Sequence, residues 1–273
     1  MTKEKKTILV AWDFSENAKH ALSHALFYSE QTGFNVYLLQ IVRKKAMVNS
    51  TQVALENASN EIFEQENQKV KTIVKVGNMA EGLQLAATEL NAAMIVGCFP
   101  GYNGIKKFIS RYTMNAILGS LIPLIVVQES KKKSDIVKII CPIDYKKQSK
   151  AILSSAQFFS KFCKTEIYLV YPVCLTPFRR LVKEANLNFA KNYLKNIGLD
   201  FKEQEVPCKN YNQEIINFAK SENADLILNI SQKESKLKNL FFNSNNYKFV
   251  ANDKKVPVMF SRAFNGLKLT GFR

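Results

Sequence analysis

The sequence is short of the residues that usually announce a chemistry. It has two histidines, one tryptophan and five cysteines in 273 residues. The cysteines, at 98, 141, 163, 174 and 208, form no Cys-x-x-Cys pair. Their odd number fits free thiols in a reducing cytoplasm better than a disulfide frame. His20 and His24 stand four apart, the spacing of a zinc pair on a helix. Ala21 sits where a zinc protease carries its glutamate, no third ligand is evident, and the neighbouring apolar positions put both histidines on the solvent side, so no metal is expected. There is no Gly-x-Ser-x-Gly, no Gly-x4-Gly-Lys-Ser/Thr and no Cys/His nucleophile pairing, which leaves an enzyme without a catalytic constellation. No apolar run reaches the roughly 18 residues of a membrane span. The longest, AILGSLIPLIVV, is broken by Pro123. The N-terminal MTKEKKTILVAWD lacks a signal-peptide pattern, so a cytoplasmic protein without a membrane partner is expected. Acidic residues are also scarce, 23 against 39 basic ones, for a net charge of +16. That charge suggests adhesion to polyanions or anionic lipid. The positive residues are scattered, however, with tight runs only at Lys3, Lys5, Lys6 and at 131–133. No helix-turn-helix, zinc-finger or RNA-binding signature accompanies them, so specific nucleic-acid recognition is not expected.

What the sequence does contain is itself, twice. TILVAWD is a short buried-strand pattern ending in an acid, and VKIICPID repeats it with Asp144 lying 131 residues after Asp13. Ser15 then offers an N-cap, Ala18, Ala21, Leu22, Ala25 and Leu26 follow at helical spacing, and Gly33 is a stop. In the second copy Ile152, Ala156, Phe159 and Cys163 share a helix face. VYLLQIV pairs with IYLVYPV, AAMIVG with ADLILNI, and IPLIVVQ with VPVMFSR, each of the last two entered through a proline. Each half reads β-α-β-α-β-α-β-α-β, which means a parallel sheet with helices on both faces. Asp13 and Asp144 then end the first strand of each half, at the edge where a doubly wound sheet binds ligands. The expected domains are 1–130 and 136–273, with KKKSD (131–135) as linker. Each is expected to be a doubly wound, Rossmann-like α/β domain around an open five-stranded parallel sheet.

With these pieces in this order, the chain resembles the tandem universal stress protein family over about 130 residues of each half. The matching features are ILVAWDFSENAKHAL and IICPIDYKKQSKAIL, the Gly77-Asn78 turn followed by AEGL, the glycine loop after AAMIV and the closing Pro-apolar strand. The resemblance implies a stress-response protein without a settled reaction. It implies that the acid after the first strand holds the adenine or ribose end of a nucleotide. A loop of pattern Gly-x2-Gly-x9-Gly-Ser/Thr after the fourth strand would hold the phosphates. It also implies that the halves pair through their last strands as an intramolecular pseudo-dimer, with a further homodimer open.

Carried over residue by residue, the loop GCFPGYNGIKKFISRYTMNAILG departs from that pattern. Cys98, or Gly97 after a one-residue slip, falls on the first glycine and Gly101 on the second, with Gly104 nearby. Arg111 stands at the last glycine and Tyr112 at the small hydroxyl. A side chain there disfavours positive φ and fills the space a phosphate would use. Arg111, with Lys106 and Lys107, either clamps an anion or lines a solvated helix face. In the second half Ile230 and Lys233 replace two glycines, Asn243 the third, and only Ser244 and Asp144 are kept, so that site is expected to be non-functional. Trp12 either stacks on a base or packs in the core, and packing is the commoner use of a lone Trp at a strand end. The candidate crevice is thus Ala11, Asp13, Ile41, Gly97, Cys98, Gly101, Gly104, Arg111 and Tyr112. Its expected ligand is ATP, another adenine nucleotide or a small anion, bound weakly. A nucleotide-independent interaction scaffold is the alternative.

Overall fold

The computed structural model describes residues 6–98, 122–131, 137–173, 176–231 and 248–262. In the first half, β1 (Thr7–Ala11), α1 (Glu16–Thr32), β2 (Asn35–Val42), α2 (Val48–Glu66), β3 (Lys71–Val76), α3 (Met79–Glu89), β4 (Ala92–Cys98) and β5 (Leu124–Val127) follow in order. The second half repeats the order with β6 (Val137–Pro142), α4 (Leu153–Ser160), β7 (Thr165–Val173), α5 (Pro177–Asn196), β8 (Phe201–Pro207), α6 (Tyr211–Ser221), β9 (Leu226–Ser231) and β10 (Val258–Arg262). The fourth helix expected in each half lies outside the described residues, apart from the helical residues 248–250.

Local chemistry explains the helix ends. Ser15 Oγ accepts from the Ala18 N–H, and Gly33 at φ 70° closes α1 with its N–H on the Ser29 carbonyl. Asn78 caps α3 by accepting from the Glu81 N–H at 3.0 Å, after Gly77 turns the chain at φ 143°. The copies diverge where the caps do. Lys146 stands in the place of Ser15 and gives no side-chain cap, so the chain enters its first second-half helix through a 3-10 stretch, Lys147–Ile152. Ile152, Ala156, Phe159 and Cys163 are nonetheless all buried, as their spacing requires.

The ten strands form one sheet in the order β3-β2-β1-β4-β5-β10-β9-β6-β7-β8. Every neighbouring pair is parallel except β5 and β10, which run antiparallel with Met259 opposite Ile125. Each parallel group of five turns its order between its first and fourth strands, so the topological switch points are β1/β4 and β6/β9. Two apolar layers cover the faces. One contains α1, α2, α4 and α5, and the other α3 and α6.

Where the halves meet, α1 packs on α4 through Tyr28 on Phe159 at 5.5 Å, and just beyond the two helices Phe34 meets Phe162 at 5.3 Å. Residues 128–131 form a strap across the junction. Gln128 Nε2 donates to the carbonyls of Val250 and Asn252, both at 3.1 Å. The Lys131 N–H donates to Ser23 Oγ at 3.0 Å, while its ammonium pairs with Asp225 at 2.8 Å and lies over the Phe27 ring. The strap corrects the expectation that both histidines face solvent. His20 bonds Ser130 Oγ at 2.8 Å, and His24 is 2% exposed with its Nε2–H on the Glu129 carbonyl. The helical pattern of α1 was legible; that another segment lies over its outer face was not.

Candidate functional site

The first switch point collects the candidate residues that the structure describes. Ala11 ends β1, opposite Leu39, and the Trp12 N–H continues the ladder onto the Leu39 carbonyl at 2.9 Å. Ile41 lies near the end of β2, with Lys75 beside it on β3. Its side chain is partly spent on packing: a Cβ added to Gly82 of α3 would meet Ile41 Cδ1 at 2.7 Å, which explains why that helix carries a glycine where it crosses β2. Gly97 is inside β4, paired with Val126, and Cys98 is the last strand residue, paired with Val127. Gly101, Gly104, Arg111 and Tyr112 lie outside the described residues, as do Lys233, Asn243 and Ser244 of the second half.

Asp13 is exposed at this edge. Its Oδ1 accepts from the Ser15 N–H at 3.0 Å and from Ser15 Oγ at 2.5 Å, while Oδ2 has no hydrogen bond among the described residues. One oxygen thus holds the turn into α1. Burial pushes the Cys98 thiol up to about 12, and the Asp13 charge adds to it. A thiol so disposed is a weak nucleophile at neutral pH. Trp12 turns inward, 6% exposed, into the layer under α1. It serves as core, with only its edge-to-face contact to Phe14 near the mouth.

Phe14 was not foreseen. It sits between Asp13 and Ser15 at φ 61°, in the left-handed region that a bulky side chain rarely adopts, and the residue is 44% exposed. The signal in the sequence was a phenylalanine at a strand-to-helix turn, a position that glycine or asparagine fits more cheaply.

The second switch point is arranged differently. Asp144 Oδ1 accepts from the Lys146 N–H at 2.8 Å, and the Lys146 ammonium stands 3.9 Å from its Oδ2. The carboxyl is partly buried, and burial raises its pKa against the lowering pull of Lys146. Asn186 of α5 reaches over the turn and donates to the Asp144 and Lys146 carbonyls at 2.8 and 3.1 Å. Next to it on the buried face, Lys183 lies over the Tyr171 ring and pairs with Glu184 at 2.7 Å. Asn186 and Lys183 were missed by sequence reasoning. Their signal is two polar residues within the buried stripe that continues through Leu187, Ala190 and Leu194.

Among the described residues no group of three His, Cys, Asp or Glu side chains could hold a metal ion. No described helix is long and apolar enough to cross a membrane. The described cysteines are free thiols.

With this geometry in view, residues 5–128 match the model of the universal stress protein family. The N-terminal half of the chain belongs to that family. The fold of the whole chain is similar to a universal stress protein from Archaeoglobus fulgidus DSM 4304, with a TM-score of 0.68 at 16% identity, covering 94% of this chain and 98% of that one. A candidate universal stress protein from Pseudomonas aeruginosa UCBPP-PA14 is similar with a TM-score of 0.63 at 14% identity, covering 94% and 93%. At these identities the likeness is one of fold, and it extends the universal stress protein architecture through both halves. A universal stress protein from Archaeoglobus fulgidus in complex with dAMP aligns with 45% of this chain and 98% of its own, at 17% identity and a TM-score of 0.37. Among curated proteins none matches the sequence.

Proposed function

We propose that this universal stress protein is a non-enzymatic, cytoplasmic stress-response protein with one degenerate nucleotide or anion crevice, at the β1/β4 switch point of the first half. The observation that carries this reading is the asymmetry of the two acids. Asp13, exposed at the edge, has one carboxylate oxygen with no hydrogen bond among the described residues, whereas Asp144 is partly buried and held by Lys146 beneath a turn that Asn186 holds down. A carboxylate already paired and partly buried has little to offer a ribose hydroxyl or an adenine amino group. In the first half Ala11, Asp13, Ile41, Gly97, Cys98, Gly101 and Gly104 would frame the ligand. Arg111 and Tyr112 would partly plug the phosphate end, because side chains there occupy the approach to a helix N-terminus. Asp144, Lys233, Asn243 and Ser244 would mark a site that no longer binds. An adenine nucleotide such as ATP is the favoured ligand, held weakly.

The domains 1–130 and 136–273 would act as an intramolecular pseudo-dimer. The antiparallel β5/β10 pair and the aromatic contact of α1 with α4 support that arrangement. In the proposed linker, Lys131 bonds both Ser23 and Asp225 and so reaches both halves. The scaffold reading draws on the same junction: a sheet continuous through both halves could serve partners with no ligand at all. Mass spectrometry of small molecules released on denaturing the purified protein, followed by calorimetric titration of ATP into the emptied protein, separates the two. A nucleotide recovered at a substantial fraction of the protein, or a weak one-site isotherm, supports the crevice. Neither, in wild type or in a loop-opened variant, favours the scaffold.

A further inference from the structure

Helix α5 buries one face through Lys183, Asn186, Leu187, Ala190 and Leu194, and so its opposite face should be polar. At its first turns it is not. Phe178 is 75% exposed and Leu181 70% exposed, and Val173 at the end of β7, just before the helix, is 48% exposed. Phe178 and Leu181 are three apart and neighbour each other on the helix surface. Arg179 and Arg180 lie between them in sequence and are exposed, with the Arg179 guanidinium over the Tyr145 ring at 4.8 Å. Phe178 and Leu181 are the two most exposed large apolar side chains among the described residues, and they stand together beside two cations.

We infer that the first turns of α5 are a peripheral docking surface for an anionic phospholipid membrane, with Phe178, Leu181 and Val173 entering the acyl boundary and Arg179 and Arg180 at the headgroups. The size of the patch favours a bilayer over a protein. Among the described residues the patch comprises three side chains, short of the area of roughly 1,000 Å² that a specific protein interface buries. A membrane needs only a few inserted apolar groups together with a second, electrostatic signal. The charge is complementary too: the chain carries +16, and α5 exposes Arg179, Arg180 and Lys195, while its single acid, Glu184, already pairs with the buried Lys183. Such a charge draws the protein to an anionic surface, and the apolar pair holds it there. This surface is separate from the proposed nucleotide crevice, which lies in the other half.

The test is co-sedimentation of the full chain with vesicles of phosphatidylcholine alone and of phosphatidylcholine mixed with phosphatidylserine. Wild type should sediment with the mixed vesicles and not with phosphatidylcholine. Phe178→Ser with Leu181→Ser should lower that partition by roughly tenfold. Arg179→Glu with Arg180→Glu should lower it as well. Both variants should keep the wild-type melting temperature, since the exchanged side chains are exposed. Binding to immobilised heparin should survive the serine exchanges and weaken with the glutamates. If the serine variant sediments as wild type does, the adhesion is general to the charge and the proposal fails. It fails equally if wild type sediments with neither vesicle, or if the serine exchanges abolish heparin binding, which points to an acidic macromolecule on this face.

Discussion

His24 gives the sharpest test of how the halves are held. It lies under the strap, 2% exposed, with Nε2–H on the Glu129 carbonyl and no partner for Nδ1 among the described residues. Burial is the main force on its titration; the charges of Lys131 and His20 add to it, and the bond to Glu129 opposes it. Together they lower the pKa from 6.5 to about 4. The unfolded chain therefore binds a proton that the folded protein refuses between these two values. Stability is unaffected above pH 6.5 and is lost as pH falls from there toward 4. A shift of this size corresponds to about 3 kcal/mol over the whole window, at about 1.4 kcal/mol per unit. Asp144 pulls the other way in the acid range, because its raised folded pKa makes the folded state the better proton binder. The comparison must therefore be made within a pair of proteins. Urea unfolding of wild type and His24→Gln from about pH 7 to about pH 4.5 should show the wild type losing about 2–3 kcal/mol more than the variant. Parallel pH profiles would show that His24 protonates freely in the folded protein, and the strap would then not seal α1.

Lys131→Met should cost about 3 kcal/mol in urea unfolding, because it leaves the Asp225 carboxylate buried with only the Lys138 N–H at 2.9 Å as a described donor. A loss below about 1 kcal/mol would mean that the strap is solvated. Phe14→Val should lower stability by about 1–2 kcal/mol, since a β-branched residue fits φ 61° poorly, whereas Phe14→Gly should not. Equal effects would mean that the turn relaxes. Cys98, with its thiol raised from 9.0 to about 12, should alkylate about a thousandfold more slowly in the folded than in the unfolded protein at neutral pH, read by peptide mass spectrometry.

The two-fold repeat, the alternation of strands and helices along the chain and the capped start of α1 were legible because each is a local pattern: a buried apolar run, a Ser before a periodic stripe, a glycine after it. The halves' second-copy helix shows the limit. Its apolar face was readable, but the 3-10 start follows from one exchange, Lys146 for Ser15, whose cost depends on what else can bond the turn. The burial of His24 was beyond reach for a different reason. It results from residues 128–131 crossing α1, a contact more than a hundred residues apart in sequence. In the candidate site, Asp13 and Asp144 were found as equals by their repeat. Their difference lies in Asn186 and Lys146, and no spacing rule predicts which side chains close over a strand end. Phe14 carried a legible cue, its place in a turn, that the strand-and-acid pattern overshadowed.

The central claim is that one half only can hold a nucleotide, with Asp13 as its acid and Arg111 and Tyr112 as the obstruction. Calorimetric titration of ATP into wild type and into Arg111→Gly with Tyr112→Ser, and then into that variant carrying Asp13→Ala or Asp144→Ala, tests it directly. Binding should be weak in wild type, tighter once the loop is opened, abolished by Asp13→Ala and unchanged by Asp144→Ala. Tight wild-type binding that the loop exchanges do not alter, or binding that depends on Asp144, would contradict the account.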